Sequence, residues 1–224
     1  MAYQRGTKGS YQQWADMVDD EDYLWENFLP YFQKSVHFTP PDMSTRAANS
    51  TPEYNVSTIG NDNGPLSVSF SKYAQSFSSW VQKALQEIGI FPIDGFTSGQ
   101  LIGSSYQLLT IDGVDQTRAS SEVAFLQTSL SRTNYIVYQS TLGKRVLFDN
   151  NNNAIGVEVD MGGRQFNLLA NKEVIVSCGA FQSPHLLMVS GIGPAATLQN
   201  HKITVLADRP GVGQNMWVCV TQNS

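Results

Sequence analysis

EVIVSCGAFQSPHLLMVSGIG, residues Glu173 to Gly193, is the stretch that decides the fold. Val174 to Val176 has the apolar continuity of a buried strand, Gly179 and Ala180 supply a turn without bulk, and Ser183-Pro184 opens an apolar segment closing on Ser190 to Gly193. The spacing predicts a strand, a tight turn and a short helix. Small residues at such a turn let another group approach the backbone, and the free amides of a helix start favour an anionic or polar ligand. Two readings stand side by side: the edge of a cofactor site, or a turn kept small so that the helix packs on its strand. Cys178, at the end of the strand, is expected to behave as a small buried hydrophobe.

Upstream of this stretch, short strand patterns at Tyr135 to Tyr138, Arg145 to Phe148, Ala154 to Val159 and Phe166 to Ala170 are divided by NNNN and GG turns. Asp149 to Asn153 is a hairpin signal. Thr117 to Leu130 has helical spacing, with Ser120, Ser121 and Glu122 in its first turn. Earlier still, Leu66, Val68 and Phe70 alternate with serines as a half-buried strand, and Ser105 to Ile111 reads as another. Between them, Phe77, Trp80, Val81, Ala84, Leu85 and Ile88 make the apolar face of a helix over Tyr73 to Ile88, stopped by Gly89. At the amino end Trp14, Met17 and Val18 share one helical face and Leu24, Phe28, Leu29 and Phe32 another, both expected to face a core. Thr39 to Gly64, rich in Pro, Ser, Thr and Asn, reads as a long surface loop. Downstream, Pro194 to Gln199 is a helical turn and Ile203 to Leu206 a strand. This alternation predicts a mixed α/β fold rather than a helix bundle.

Hydrophobic residues at 41% and charged residues at 15% place the 224-residue chain among globular proteins and exclude overall disorder. A net charge of -5 argues against a nucleic-acid or anionic-membrane partner. No apolar run reaches the roughly 18 residues of a membrane span, and the first residues lack the apolar centre of a secretory signal. Cys178 and Cys219 are too few for a disulfide framework or a zinc site, and no metal constellation is expected. The acceptor triplets Asn49-Ser50-Thr51 and Asn55-Val56-Ser57 leave secretion open and localisation otherwise undetermined.

GAFQSPHLLMVSGIG resembles the second signature of the glucose-methanol-choline (GMC) oxidoreductases: Gly179-Ala180, Ser183-Pro184, Leu187-Met188 and Ser190 to Gly193 occupy its defined positions. MAYQRG resembles the tail of the first signature, through Met1, Tyr3, Arg5 and Gly6, and RPGVGQNM, Arg209 to Met216, resembles the segment that follows the second. Where relatives continue into Asp-His, this chain reads Trp217-Val218-Cys219-Val220.

The resemblance implies a partial FAD-binding, Rossmann-like domain with part of an antiparallel-sheet substrate domain. Residues 1–63 would be amino-terminal helices and a lid or connecting loop, 64–112 the substrate portion, 113–216 the FAD portion and 217–224 a divergent tail. It implies Gly143, Gly179 and Ala180 at the adenosine side of FAD, Gly143 through its backbone, and Met1 and Ala2 near the flavin ring. The activity implied is oxidation of a small-molecule alcohol or secondary metabolite by hydride transfer to the flavin.

No Gly-x-Gly-x-x-Gly follows a strand, and the family's catalytic His pair has no counterpart. No catalytic residue is therefore assigned, and His37, His185 and His201 come with no sequence reason to act as a base. The expectation is an internal fragment that binds FAD weakly and does not oxidise alcohols as it stands. Two alternatives are a cyclase or lyase of secondary metabolism holding FAD structurally, and a non-enzymatic interaction module.

Overall fold

The computed structural model describes residues 2–60 and 63–216. The chain forms two compact units, Met1–Ile136 and Val137–Ser224. The architecture is mixed α/β, as expected.

In the first unit, helices α1 (Lys8–Val18) and α2 (Trp25–Ser35) lead directly into strand β1 (Val36–Thr39). Thr7 caps α1 by accepting a hydrogen bond from the Ser10 amide at 3.1 Å. The segment after β1 carries the short helix α3 (Val56–Ile59) and returns as β2 (Leu66–Ser69), which pairs parallel to β1 with Val36 opposite Leu66. Val36, Phe38, Ile59, Val68, Phe70 and Leu108 form the core here. Helix α4 (Ser76–Glu87) follows, and a π-helical turn at Glu122–Leu126 runs into the short α5 (Gln127–Ser129).

Several expectations change in this unit. His37 lies on β1, where Val36 and Phe38 alternate into the core and His37 is half-buried. Trp14, Met17 and Val18 are exposed, Trp14 stacking on Tyr23 at 5.5 Å, while Trp25 at the start of α2 is buried. Helix α4 is amphipathic as its spacing predicts, but Phe77 and Trp80 stand in solvent at 70% and 66% exposure. Its neighbour is the polar turn at Ala48–Ser50, so Ser79 is the side chain it buries. Ser105 to Ile111 is extended but joins its neighbours by single bridges, Leu109 to Ser69 and Ala2 and Ile111 to Arg118, rather than as a strand.

In the second unit β3 (Thr141–Phe148), β4 (Ala154–Met161) and β5 (Arg164–Leu169) form an antiparallel meander. Tyr135 to Tyr138 is not a strand; the sheet of this unit consists of β3, β4 and β5. The turn at Asp149 is as predicted: its carboxylate accepts the amides of Asn151 and Asn153, each at 2.8 Å, and the Asn153 side-chain amide at 3.0 Å. The Asn153 side chain, with the backbone amides behind it, holds the Asp149 carboxyl below its ordinary value. A depressed native pKa stabilises the turn fully above the unfolded value of roughly pH 4, and that contribution is lost as pH falls through the lower native value. Amide exchange across the β3–β4 turn should lose protection on acidification in the native chain and be insensitive to it in Asp149→Ala. Equal acid sensitivity in both would refute this role.

Helix α6 (Gly179–Val189) packs against β3, followed by β6 (Ile192–Gly193), α7 (Ala195–Asn200) and β7 (Ala207–Asp208), β6 pairing parallel to β7. Four details differ from the sequence reading. Val174 to Val176 forms no strand and has no ladder partner among the described residues, and Ile175 is 76% exposed. Cys178 is accordingly exposed. The helix opens at Gly179 and takes Pro184 inside it, and in place of the strand expected at Ile203 to Leu206 the pairing begins directly after it, at Ala207–Asp208.

Candidate cofactor-edge site

Gly179 starts α6 with φ +86°, a conformation that L side chains rarely adopt, and a Cβ placed there would meet nothing within 4 Å. The turn is thus left-handed and open toward solvent. The residue before it, Cys178, provides no side-chain cap. Ser183 instead reaches back, its Oγ accepting the Cys178 amide at 3.0 Å. The amides at the start of α6 therefore remain available for a polar or anionic group.

Beside this turn lies a cavity of about 450 Å³. Ala180, Ser183, Pro184 and Leu187 of α6 form one wall, and Val212 to Met216 of the PGVGQNM segment the other. That segment is held by its own turns, Val212 N–H to the Arg209 carbonyl and Gln214 N–H to the Gly211 carbonyl, each at 3.1 Å. It is also tied to β6 through the Arg209 amide, which donates to the Gly193 carbonyl at 3.0 Å. The walls are largely apolar, with the Gln214 and Asn215 amides as polar groups and no ionisable side chain in the lining. Such a site can bind and orient a ligand, but has no group to move a proton.

Gly143 lies on β3 at a bulge, where the register with β4 shifts between Gly143 and Arg145. β3 is an edge strand, and the backbone around Gly143 is exposed. A Cβ at Gly143 would meet only Val157 at 3.8 Å, so a valine fits here as readily as glycine. Three residues on, the Val146 amide donates to Ser190 Oγ at 2.8 Å, and Ser190 Oγ donates to the Leu186 carbonyl at 2.6 Å. Signature residue Ser190 thus fastens the carboxyl end of α6 to β3. Ala2 lies in the first unit, exposed and bridged to Leu109. Met1 lies outside the described residues.

His37 Nδ1 pairs with Asn63 Oδ1 and His185 Nδ1 with Gln182 Oε1, both at 3.2 Å, while His201 ends α7. Among the described residues no three His, Cys, Asp or Glu side chains are grouped to hold a metal, and no helix is long and apolar enough to cross a membrane.

The sequence model of GMC oxidoreductase matches residues 1–220. This chain belongs to the GMC oxidoreductase family. The GMC relatives include a patulin synthase of Aspergillus clavatus, 56% identical over 216 residues, and one of Penicillium expansum, 53% identical; each alignment takes in 96% of this chain and 34% of the relative. A versicolorin B synthase of Emericella nidulans is 45% identical over 96% of this chain and 34% of its own length. This chain therefore spans about a third of the curated GMC relatives it matches. Among solved GMC structures, a fungal aryl-alcohol oxidase superimposes with a TM-score of 0.88 at 28% identity, over 95% of this chain and 36% of that one. An FAD-dependent oxidoreductase from Chaetomium thermophilum gives 0.85 at 32% identity, over 94% and 36%.

FAD is the cofactor of the GMC family. The uncapped amides of α6, the open left-handed Gly179 and the uncharged cavity beside Ala180 fit part of a dinucleotide: they offer backbone donors, room for close approach and an apolar wall. Sequence reasoning found the α6 turn but not the opposite wall. Gln214 and Asn215 carried a signal only as part of the motif, with no periodicity to say which way they face.

Proposed function

We propose that this chain forms part of an FAD-dependent enzyme that oxidises the CH–OH group of a small-molecule alcohol. The observation that carries this reading is the family match over residues 1–220, supported by likeness to an aryl-alcohol oxidase. When bound, FAD supplies the hydride acceptor. Gly179 and Ala180 would flank its adenosine side through the start of α6, Gly143 would offer backbone from the β3 edge, and Met1 and Ala2 would lie near the ring. In this assignment residues 113–216 are the FAD portion, 64–112 the substrate portion and 1–63 the lid and connecting region. None of these residues carries a side chain that could move a proton. Three of these relatives bear the names of synthases, which supports a second reading in which the GMC fold serves a bond-forming step without net oxidation.

The purified 224-residue chain, titrated with FAD, should bind less than stoichiometrically, because it contains no Gly-x-Gly-x-x-Gly loop to seat the pyrophosphate. A stoichiometric yellow complex would overturn this expectation. A family-length protein carrying this segment should lose its flavin absorbance when mixed anaerobically with an aromatic or allylic alcohol. Product formation without that bleaching would favour the second reading.

A further inference from the structure

We infer that Asn63-Gly64 is a hydrolytic modification site held shut by the pairing of β1 with β2, and that its isoaspartyl product keeps those strands from pairing again.

The sequence contains one Asn-Gly step, at residues 63 and 64. At such a step the main-chain nitrogen of the glycine attacks the side-chain carbonyl carbon of the asparagine, and glycine, having no Cβ, hinders that attack least. Here Gly64 N would form a bond to Asn63 Cγ and the Cγ–Nδ2 bond would break. The Gly64 amide proton leaves with Nδ2, and ammonia departs. Water then opens the cyclic imide at one of its two carbonyls. One opening gives aspartate, the other an isoaspartyl link whose main chain runs through the former side chain and is one carbon longer. Water is the co-reactant, and nothing is oxidised or reduced.

The fold leaves the electrophile open and withholds the nucleophile. Asn63 is exposed, at φ +52°, a left-handed conformation that asparagine tolerates. Its Oδ1 pairs with His37 Nδ1 at 3.2 Å, a contact that engages neither Cγ nor Nδ2. The Gly64 amide, by contrast, donates to the Val36 carbonyl at 3.0 Å, just ahead of the parallel pairing that sets Val36 opposite Leu66. Gly64 also lies so close to the junction of α2 and β1 that a Cβ on it would overlap the backbone of Ser35 and Val36. Attack on Cγ therefore requires Gly64 to release Val36 and swing away from that junction. Val36 and Val68 are both fully buried in the core of this unit, so the release is an opening of the core rather than a fraying of a loop.

The isoaspartyl link places its extra carbon directly before the residue whose amide docks on Val36. Strand β2 must then enter out of step, although Val68 and Phe70 have to reach the core. An opening that lasts long enough for the reaction thus becomes irreversible.

The test does not depend on flavin binding. The full chain is held in mildly alkaline buffer with and without concentrated urea. Peptide mass spectrometry follows the exchange of the Asn63 amide for a carboxyl, and isoaspartyl methyltransferase labelling counts the longer link. Conversion is expected to be at least roughly tenfold faster in urea than without it. Val68→Ala should raise the rate without urea and leave the rate in urea unchanged, and a Val68→Ala chain that does not fold should convert at the urea rate in both. Gly64→Ala should slow conversion in urea. Equal rates with and without urea, or a rate without urea that Val68→Ala does not move, would overturn the gate; no conversion in urea would overturn the site. After dilution from urea, unmodified chains should regain amide-exchange protection across Val36–Thr39 and isoaspartyl chains should not. Equal recovery would overturn the block on pairing.

Discussion

Replacing Gly191 by alanine is expected to remove about 3 kcal/mol of stability from the second unit. Gly191 sits in the signature at φ +91°, and a Cβ there would come within 2.6 Å of the Thr204 carbonyl oxygen. Its own carbonyl accepts the Leu206 and Ala207 amides at 2.8 and 3.2 Å, so backing away from Thr204 breaks the link from α6 to the β6–β7 pair. Gly179→Ala separates the two causes. Gly179 has a similar φ of +86° but open space around it, so alanine there should cost only the left-handed penalty of roughly 1 kcal/mol. Protection of the slowest amides in β3 to β5 should fall by roughly a hundredfold in Gly191→Ala, at about 1.4 kcal/mol per tenfold change. Equal losses in the two variants would show that the close approach to Thr204 plays no part.

Arg5→Met is expected to destabilise the first unit by about 4 kcal/mol. Arg5 is 4% exposed, and its guanidinium reaches three carbonyls distant in sequence: those of Thr58, Ile59 at 2.7 Å and Thr97 at 3.4 Å. It also lies over the Phe32 ring at 4.9 Å. Methionine fills the space but leaves those carbonyls without a donor, which costs more than the bonds themselves contribute. Lysine should recover no more than half, because a single ammonium cannot reproduce a planar fork stacked on a ring. Urea unfolding followed by tryptophan fluorescence in a Trp217→Phe background reads this unit, since the remaining Trp14, Trp25 and Trp80 all belong to it. A loss below about 1 kcal/mol for Arg5→Met would mean that the contacts are incidental.

Both residues belong to recognised signature positions, yet the motif alone did not say what they do. Arg5 was legible as the Arg of an Arg-Gly pair, and only folding brings it to Thr58, Ile59 and Thr97. Arg46 carried no signal at all. It sits in a polar stretch that reads as surface, but it is 8% exposed, bonding the Ser50 and Ser71 carbonyls and lying 4.9 Å over Tyr106. A long loop poor in apolar residues has to be organised by something, and here a buried guanidinium satisfies its carbonyls.

Local chemistry was the best guide where an element is stabilised within itself. The Asp149 turn, the β3–β5 meander and helix α4 were readable because turn residues and side-chain periodicity act over a few positions. Periodicity states which residues share a face, not what covers that face. Hence Phe77 and Trp80 group as predicted and are exposed, and Val174 to Val176 has strand composition without a ladder.

By itself the sequence determined the family, the α/β class and the position of the α6 turn, since fifteen residues from Gly179 to Gly193 specify a left-handed glycine and a helix through local sterics. The tertiary structure alone decided that Ser190 ties that helix to β3 and that Val212 to Met216 closes a cavity against it. These depend on partners tens of residues away, whose hydrogen bonds and close contacts form only when the chain folds.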